Sequence, residues 1–286
     1  MKTGLIVEGG GMKCAYSAGV LDVFLDEQIG FDYCIGVSAG AANCASFLAG
    51  QRERNLRFYT QHVKDPNYIS VRSLVKTGSL FGLHYIYGDM TNEGGVDPLD
   101  YDAYQANATD TYLPATDAAT GQAHYFNKSQ IHRNAYEPIM ASCALPVACQ
   151  PIEYENHVYC DGGVADSVPI QHALDHGCDR VVILFSKPRG FRMKPQGGRL
   201  AYTLKLRHRY PKVVEALNHR HEMYNREMDL VDALEEQGKV MTFCPSADIE
   251  IGTYTTDPGI MQQLYDNGIR DAKAQMNEVK EFLNGK

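Results

Sequence analysis

The chain has 286 residues, 44% of them hydrophobic, enough for one large α/β domain with an appendage or for two small domains. A net charge of −8 lacks the basic footprint that bulk nucleic-acid binding needs, so nucleic acid is excluded as a partner. The eight cysteines are scattered, several in apolar runs, so they read as reduced, buried thiols and not as a disulfide scaffold.

The opening Met1-Lys2-Thr3 leads into Gly-Leu-Ile-Val, far shorter than the ~7–15 apolar residues of a signal-peptide core. No stretch approaches the ~18 apolar residues of a membrane span. A cytoplasmic protein is the expectation. Residues 4–7 read as a buried strand that ends at Glu8 and three glycines. From Met12 to Glu27 apolar residues recur at helical spacing. Phe31 to Val37 reads as a second strand, and the small residues from Ser38 to Leu48 as a helix stopped by Gly50. Strand–helix–strand–helix is the pattern of a mostly parallel α/β sheet.

Residues 52–109 have weak periodicity; a short helix near 52–63 and then loops over the site are expected. Residues 112–116 and 123–126 flank Thr120-Gly121 and read as a hairpin. Residues 134–144 read as a helix, 152–154 and 158–159 as a second hairpin, 169–176 as a short helix and 181–185 as a buried strand. Residues 187–214 hold nine Lys or Arg and no Asp or Glu. This run reads as a solvated loop, with steering of anionic headgroups or a membrane surface through 187–212 as the functional alternative. Long amphipathic helices are expected over 211–237 and 257–283, around a strand at 239–243. The division expected is a catalytic domain over 1–186 and a mostly helical subdomain over 187–286. No feature specifies an oligomeric state.

Gly36-Val37-Ser38-Ala39-Gly40 at a strand–helix junction is a G-x-S-x-G nucleophile elbow. The abrupt turn exposes the serine oxygen, and the helix behind it offers free N–H groups and a positive dipole end. The pentapeptide alone also fits a purely structural turn. Gly9-Gly10-Gly11-Met12-Lys13 is a second strand–helix junction, where bare glycines let backbone N–H groups converge on an anion. An oxyanion or a nucleotide phosphate would both suit such a loop. The dinucleotide fingerprint fails because Cys14 stands where its third glycine belongs, and Met12-Lys13-Cys14 fails the phosphate-loop pattern. Lys13 shapes the loop, attracts an anionic substrate or simply begins a helix. Asp161-Gly162-Gly163 follows the expected strand ending at Cys160; alone it reads as a turn. Asp166 is a competing carboxylate five residues on. His219, His221 and Glu222 lack the H-E-x-x-H spacing, and His157 with Cys160 lacks two further ligands, so no metal site is expected.

These three blocks in this order resemble the patatin-like phospholipase family, and Ala141 to Pro146 with Pro151 is similar to its alanine-serine-proline segment. The resemblance covers about residues 3–185. It implies a three-layer α/β/α fold with a mostly parallel central sheet. It implies hydrolysis of acyl esters, commonly of phospholipids or lysophospholipids, with an acyl lipid as substrate and no cofactor. It carries over Ser38 as nucleophile, Asp161 as base with no histidine between them, and the Gly9–Gly11 backbone, with Ala39, as the oxyanion hole. Gly36 and Gly40 flank the elbow; Lys13, Gly162 and Gly163 support the site. Cys149 departs from the aromatic residue of many relatives and bears on the lining of the acyl pocket. A thioesterase or acyltransferase using the same serine, a catalytically silent lipid-binding protein and a nucleotide-binding domain are the alternatives.

Overall fold

A computed structural model describes residues 1–245 and 251–285. In chain order its elements are β1 (Thr3–Val7), α1 (Ala15–Asp26), β2 (Tyr33–Gly36), α2 (Ala39–Leu48), α3 (Arg54–Thr60), α4 (Val71–Thr77), α5 (Tyr101–Ala106), β3 (Asp110–Asp117) and β4 (Ala123–Asn127). There follow α6 (Glu137–Ser142), β5 (Ile152–Tyr154), β6 (His157–Asp161), α7 (Ile170–Asp175), β7 (Arg180–Leu184), α8 (Arg199–Leu206), α9 (Pro211–Glu236), β8 (Val240–Phe243) and α10 (Pro258–Leu283). The strands form one sheet in the order β5-β6-β3-β2-β1-β7-β8, with β4 paired to β3. The run β3-β2-β1-β7-β8 is parallel; β4, β5 and β6 pair antiparallel.

The central strands are apolar on both faces, as a sheet covered by helices on both sides must be. Leu5, Val7, Cys34, Val182 and Leu184 face one core with α1, α2 and α10. Ile6, Tyr33, Ile35, Val181 and Ile183 alternate onto the other face, against α7 and α9. This is the three-layer α/β/α arrangement. No helix among the described residues is long and apolar enough to cross a membrane.

Register brings the key residues together. Ile35 pairs with Tyr112, so three residues further along each strand Ser38 comes level with Ala115. Ala115 pairs with Asp161 across the antiparallel β3–β6 ladder. The Gly9–Gly11 loop leaves β1 at the same end, because Val7 pairs with Gly36. All three blocks therefore emerge at the carboxyl end of the parallel strands, where open α/β sheets bind ligands.

Residues 52–109 carry more helix than expected. Besides α3 they contain α4, a π-turn at Tyr85–Asp89 and α5. Their helices are too short to show periodicity, and side-chain caps start two of them. Ser70 Oγ accepts from the Ser73 N–H at 3.0 Å and Asp100 from the Ala103 N–H at 3.0 Å. The basic run likewise holds α8 where a loop is expected. The expected boundary at 186/187 falls between two paired strands, since β8 extends the sheet beside β7.

The last helix lies on α1 almost backbone to backbone. A Cβ on Gly19 would sit 2.1 Å from the Tyr265 carbonyl oxygen, and one on Gly268 2.1 Å from the Tyr16 carbonyl oxygen. Only glycine at both positions permits this approach. Gly268→Ala is expected to cost about 1–3 kcal/mol through overpacking, more than the gain in helix propensity returns. The denaturation midpoint measures it. Gly30→Ala, where the new methyl meets open space, is the control and should shift little.

Candidate active site

β2 runs through Val37 into Ser38, whose φ of 55° and ψ of −128° are strained for a residue with a side chain. The turn is held from two sides. The Val37 N–H donates to the Val7 carbonyl at 3.0 Å, and the Ser38 N–H to Ser142 Oγ at 2.9 Å. A Cβ on Gly40 would fall 2.3 Å from the Val7 carbonyl oxygen, and one on Gly36 would strike the Gly40 carbonyl, so neither flanking glycine is replaceable. Ser38 Oγ donates to Asp161 Oδ2 at 2.6 Å. The other oxygen, Oδ1, accepts from the Gly163 N–H at 2.8 Å. A Cβ on Gly162 would fall 2.1 Å from the Pro114 carbonyl oxygen, so glycine is required where the chain turns after β6.

Asp161 is buried, and burial raises its pKa above the ordinary 3.8. The Ser38 hydrogen bond, the charge of Arg220 and the Gly163 N–H oppose the rise. Gly9 passes so near the serine that its Cβ would lie 2.9 Å from Ser38 Cβ. The N–H groups of Gly10, Gly11 and Ala39, all on the cleft wall, find no acceptor among the described residues. Glu8 anchors the glycine loop: buried, it accepts from the Ser186 N–H at 2.8 Å and pairs with Lys187.

The cleft has a volume of about 380 Å³. Tyr68, Phe81, Leu83, Ile86, Tyr87 and Leu145 give it apolar lining; Lys13, Ser167, Gln196 and Arg220 add polar groups. Burial and the nearby Lys187 lower the pKa of Lys13, and neither Lys13 nor Arg220 has a carboxylate within ion-pair distance among the described residues. No histidine among the described residues lines the cleft. Cys149 is buried behind it, and Cys143 and Leu145 supply the lining from that segment. Ser142 belongs to the segment that resembles the family's alanine-serine-proline block, where the sequence assigns it no contact, and the sequence gives no sign of Arg220. Arg220, on α9, donates from Nε to the Gly163 carbonyl and so holds the loop after Asp161. Nothing local marks it, because its partner lies 57 residues earlier. His219 lies on the exposed side of the same helix, 3.1 Å from Glu222.

Residues 5–174 match the patatin-like phospholipase family, and residues 210–284 match a domain of unknown function, DUF6363. A curated relative, the uncharacterized protein YjjU of Escherichia coli, is 27% identical over 198 residues. That match covers 67% of this chain and 54% of YjjU, so the chain spans about half the length of that relative. The crystal structure of VipD from Legionella pneumophila superposes with a TM-score of 0.50 at 12% identity, covering 97% of this chain and 67% of VipD, a likeness of fold. The chain belongs to the patatin-like phospholipase family.

Asp166 stands apart from the cleft. Tyr125 donates its hydroxyl to Asp166, which also hydrogen-bonds Glu227 of α9. Glu227 in turn accepts from the Val168 N–H at 2.9 Å. Two buried carboxyls side by side cannot both ionise cheaply, and burial together with Asp166 pushes Glu227 up to about 10. A folded pKa above the unfolded value means that the pair's stabilisation is complete below 4.5 and is lost as pH rises towards 10. Glu227→Gln keeps a donor to Asp166 and an acceptor for Val168 without the proton. Its melting temperature is expected to fall less steeply than the wild type's from neutrality to pH 10. Parallel curves in a pH series of thermal melts would contradict the shared proton.

Proposed function

We propose that the protein is a lipid acyl-ester hydrolase in which Ser38 is the nucleophile and Asp161 its base. The observation that carries this reading is the 2.6 Å hydrogen bond from Ser38 Oγ to a buried carboxylate at the floor of a half-apolar cleft. The apolar lining suits an acyl chain, and Lys13 and Arg220 suit an anionic headgroup. Ser38 Oγ attacks the ester carbonyl carbon while its proton passes to Asp161 Oδ2. The carbonyl oxygen becomes an oxyanion against the N–H groups of Gly10, Gly11 and Ala39, where losing one donor typically costs ~3–4 kcal/mol of transition-state stabilisation. Collapse expels the alcohol, which takes the proton from Asp161. Water, deprotonated by the same carboxylate, then attacks the acyl-enzyme; the fatty acid is released and Ser38 Oγ, the leaving group, takes the proton back from Asp161. A free Asp is a weak base at neutral pH; the upward shift from burial makes this one stronger.

Ser38→Ala and Asp161→Asn are each expected to lower kcat for a short-chain chromogenic ester by at least about a thousandfold, with circular dichroism unchanged. Wild-type turnover by either variant would refute the assignment. Arg220→Gln removes a positive charge that favours ionised Asp161. The Asp161 pKa should rise, and the acidic limb of the kcat/KM profile should move to higher pH. An unmoved limb would reduce Arg220 to a loop anchor.

A further inference from the structure

Nine large apolar side chains stand exposed among the described residues; Tyr254 lines the cleft, and six more lie on α4, on α8 and at Val147. Val71, Leu74 and Val75 share one face of α4 at i, i+3 and i+4. Leu200 and Leu204 share one face of α8, while Tyr202 and Leu206 on the opposite face are buried. Val147 and Tyr254 complete the set. Val75 and Leu200 are 82% and 80% exposed, so they contribute nothing to the fold's own core.

Hydrogen bonds join these segments. Leu80 N–H donates to the Ala148 carbonyl at 2.6 Å and Gln150 Nε2 to the Gly78 carbonyl at 3.2 Å, tying the end of α4 to residues 148–150. Lys205 Nζ of α8 donates to the Val147 carbonyl at 2.8 Å. Phe81 and Tyr254, with ring centroids 5.9 Å apart, line the cleft itself. Val147 has a φ of 74°, a left-handed conformation that a β-branched residue rarely adopts. That strain holds an apolar side chain outward beside the cleft, the pattern expected where strain serves binding.

The segments that carry α4 and α8 are rich in cations, with Asp65 and Asp89 flanking the first of them. Residues 66–88 contain no Asp or Glu, and neither do residues 187–214, in a chain of net charge −8. Three of the first four cations of the basic run are paired within the molecule: Lys187 with Glu8, Arg189 with Glu235, and Arg192 with Asp229 and Asp232. Arg72, Lys76 and Arg199, on α4 and α8, have no ion pair among the described residues. Apolar residues flanked by unpaired cations suit the interface of an anionic bilayer, where side chains insert among the acyl chains and cations meet the headgroups.

We propose that α4, α8 and the Val147 turn form a docking face that seats the cleft on an anionic lipid surface. This rests on the reading of the cleft as a lipid acyl site, and the test separates the two. Ser38→Ala protein, which leaves vesicles intact, is sedimented with phosphatidylcholine vesicles with and without phosphatidylglycerol. Partitioning should be at least roughly tenfold stronger with phosphatidylglycerol and weaken as salt is raised. Adding Val75→Glu and Leu200→Glu should lower it by at least roughly tenfold, since each buried apolar side chain becomes a charge facing anionic lipid. Placed in the wild-type enzyme, the same pair should leave hydrolysis of a water-soluble short-chain ester unchanged. Equal partitioning into both vesicles, or full binding by the doubly charged variant, would overturn the docking face. Self-association abolished by Val75→Glu and Leu200→Glu would overturn it too, making the patch a contact between copies. Vesicle binding that persists in a protein without esterase activity would sink the hydrolase reading and leave the docking face standing.

Discussion

A carboxylate taken out of water must be met by hydrogen bonds or it takes up a proton, and Asp161 is such a carboxylate. It has two specific donors, Ser38 Oγ at 2.6 Å on one oxygen and the Gly163 N–H at 2.8 Å on the other. Both are delivered by the sheet. The parallel β1–β2–β3 ladder sets the level of Ser38, and the antiparallel β3–β6 ladder brings Asp161 to it across 123 residues of sequence. The strained elbow at Ser38 survives because the Val7 carbonyl and Ser142 Oγ hold its flanks. The lining of the cleft and the N–H groups of Gly10, Gly11 and Ala39, which find no acceptor among the described residues, are grouped around that contact.

The region that matches a domain of unknown function is built into the same body. β8 extends the sheet beside β7, α10 lies against α1 through Gly19 and Gly268, and α9 covers the opposite face. From α9, Arg220 reaches the carbonyl of Gly163 and Glu227 reaches the N–H of Val168. The segment after Asp161 is therefore held by residues that lie outside the stretch matching the patatin-like family.

Much of this was legible from short-range pattern. Gly36 to Gly40 and Gly9 to Lys13 announced themselves because tight strand–helix turns restrict residue choice locally, and buried strands such as 181–185 are continuous apolar runs. What escaped detection has non-local causes. Arg220 acts through a partner 57 residues away, with no spacing rule to betray it, and the block that contains Ser142 was recognisable while its contact with the Ser38 N–H, across 104 residues, was not. Short capped helices such as α4 and α8 offer too few turns for periodicity. The basic run was visible as charge, but its internal neutralisation by Asp229, Asp232 and Glu235 of α9 depends on packing. Asp166, the competing carboxylate in the sequence, is set apart by its Tyr125 and Glu227 contacts.

The most direct measurement is the rate of covalent labelling by a fluorophosphonate, with the modified residue located by peptide mass spectrometry. The account predicts one adduct, on the peptide containing Ser38. Its rate should rise with the ionisation of a single carboxyl titrating above 3.8 and collapse in Asp161→Asn. A folded protein that takes no label on Ser38, or labels as fast without the Asp161 carboxylate, would contradict it.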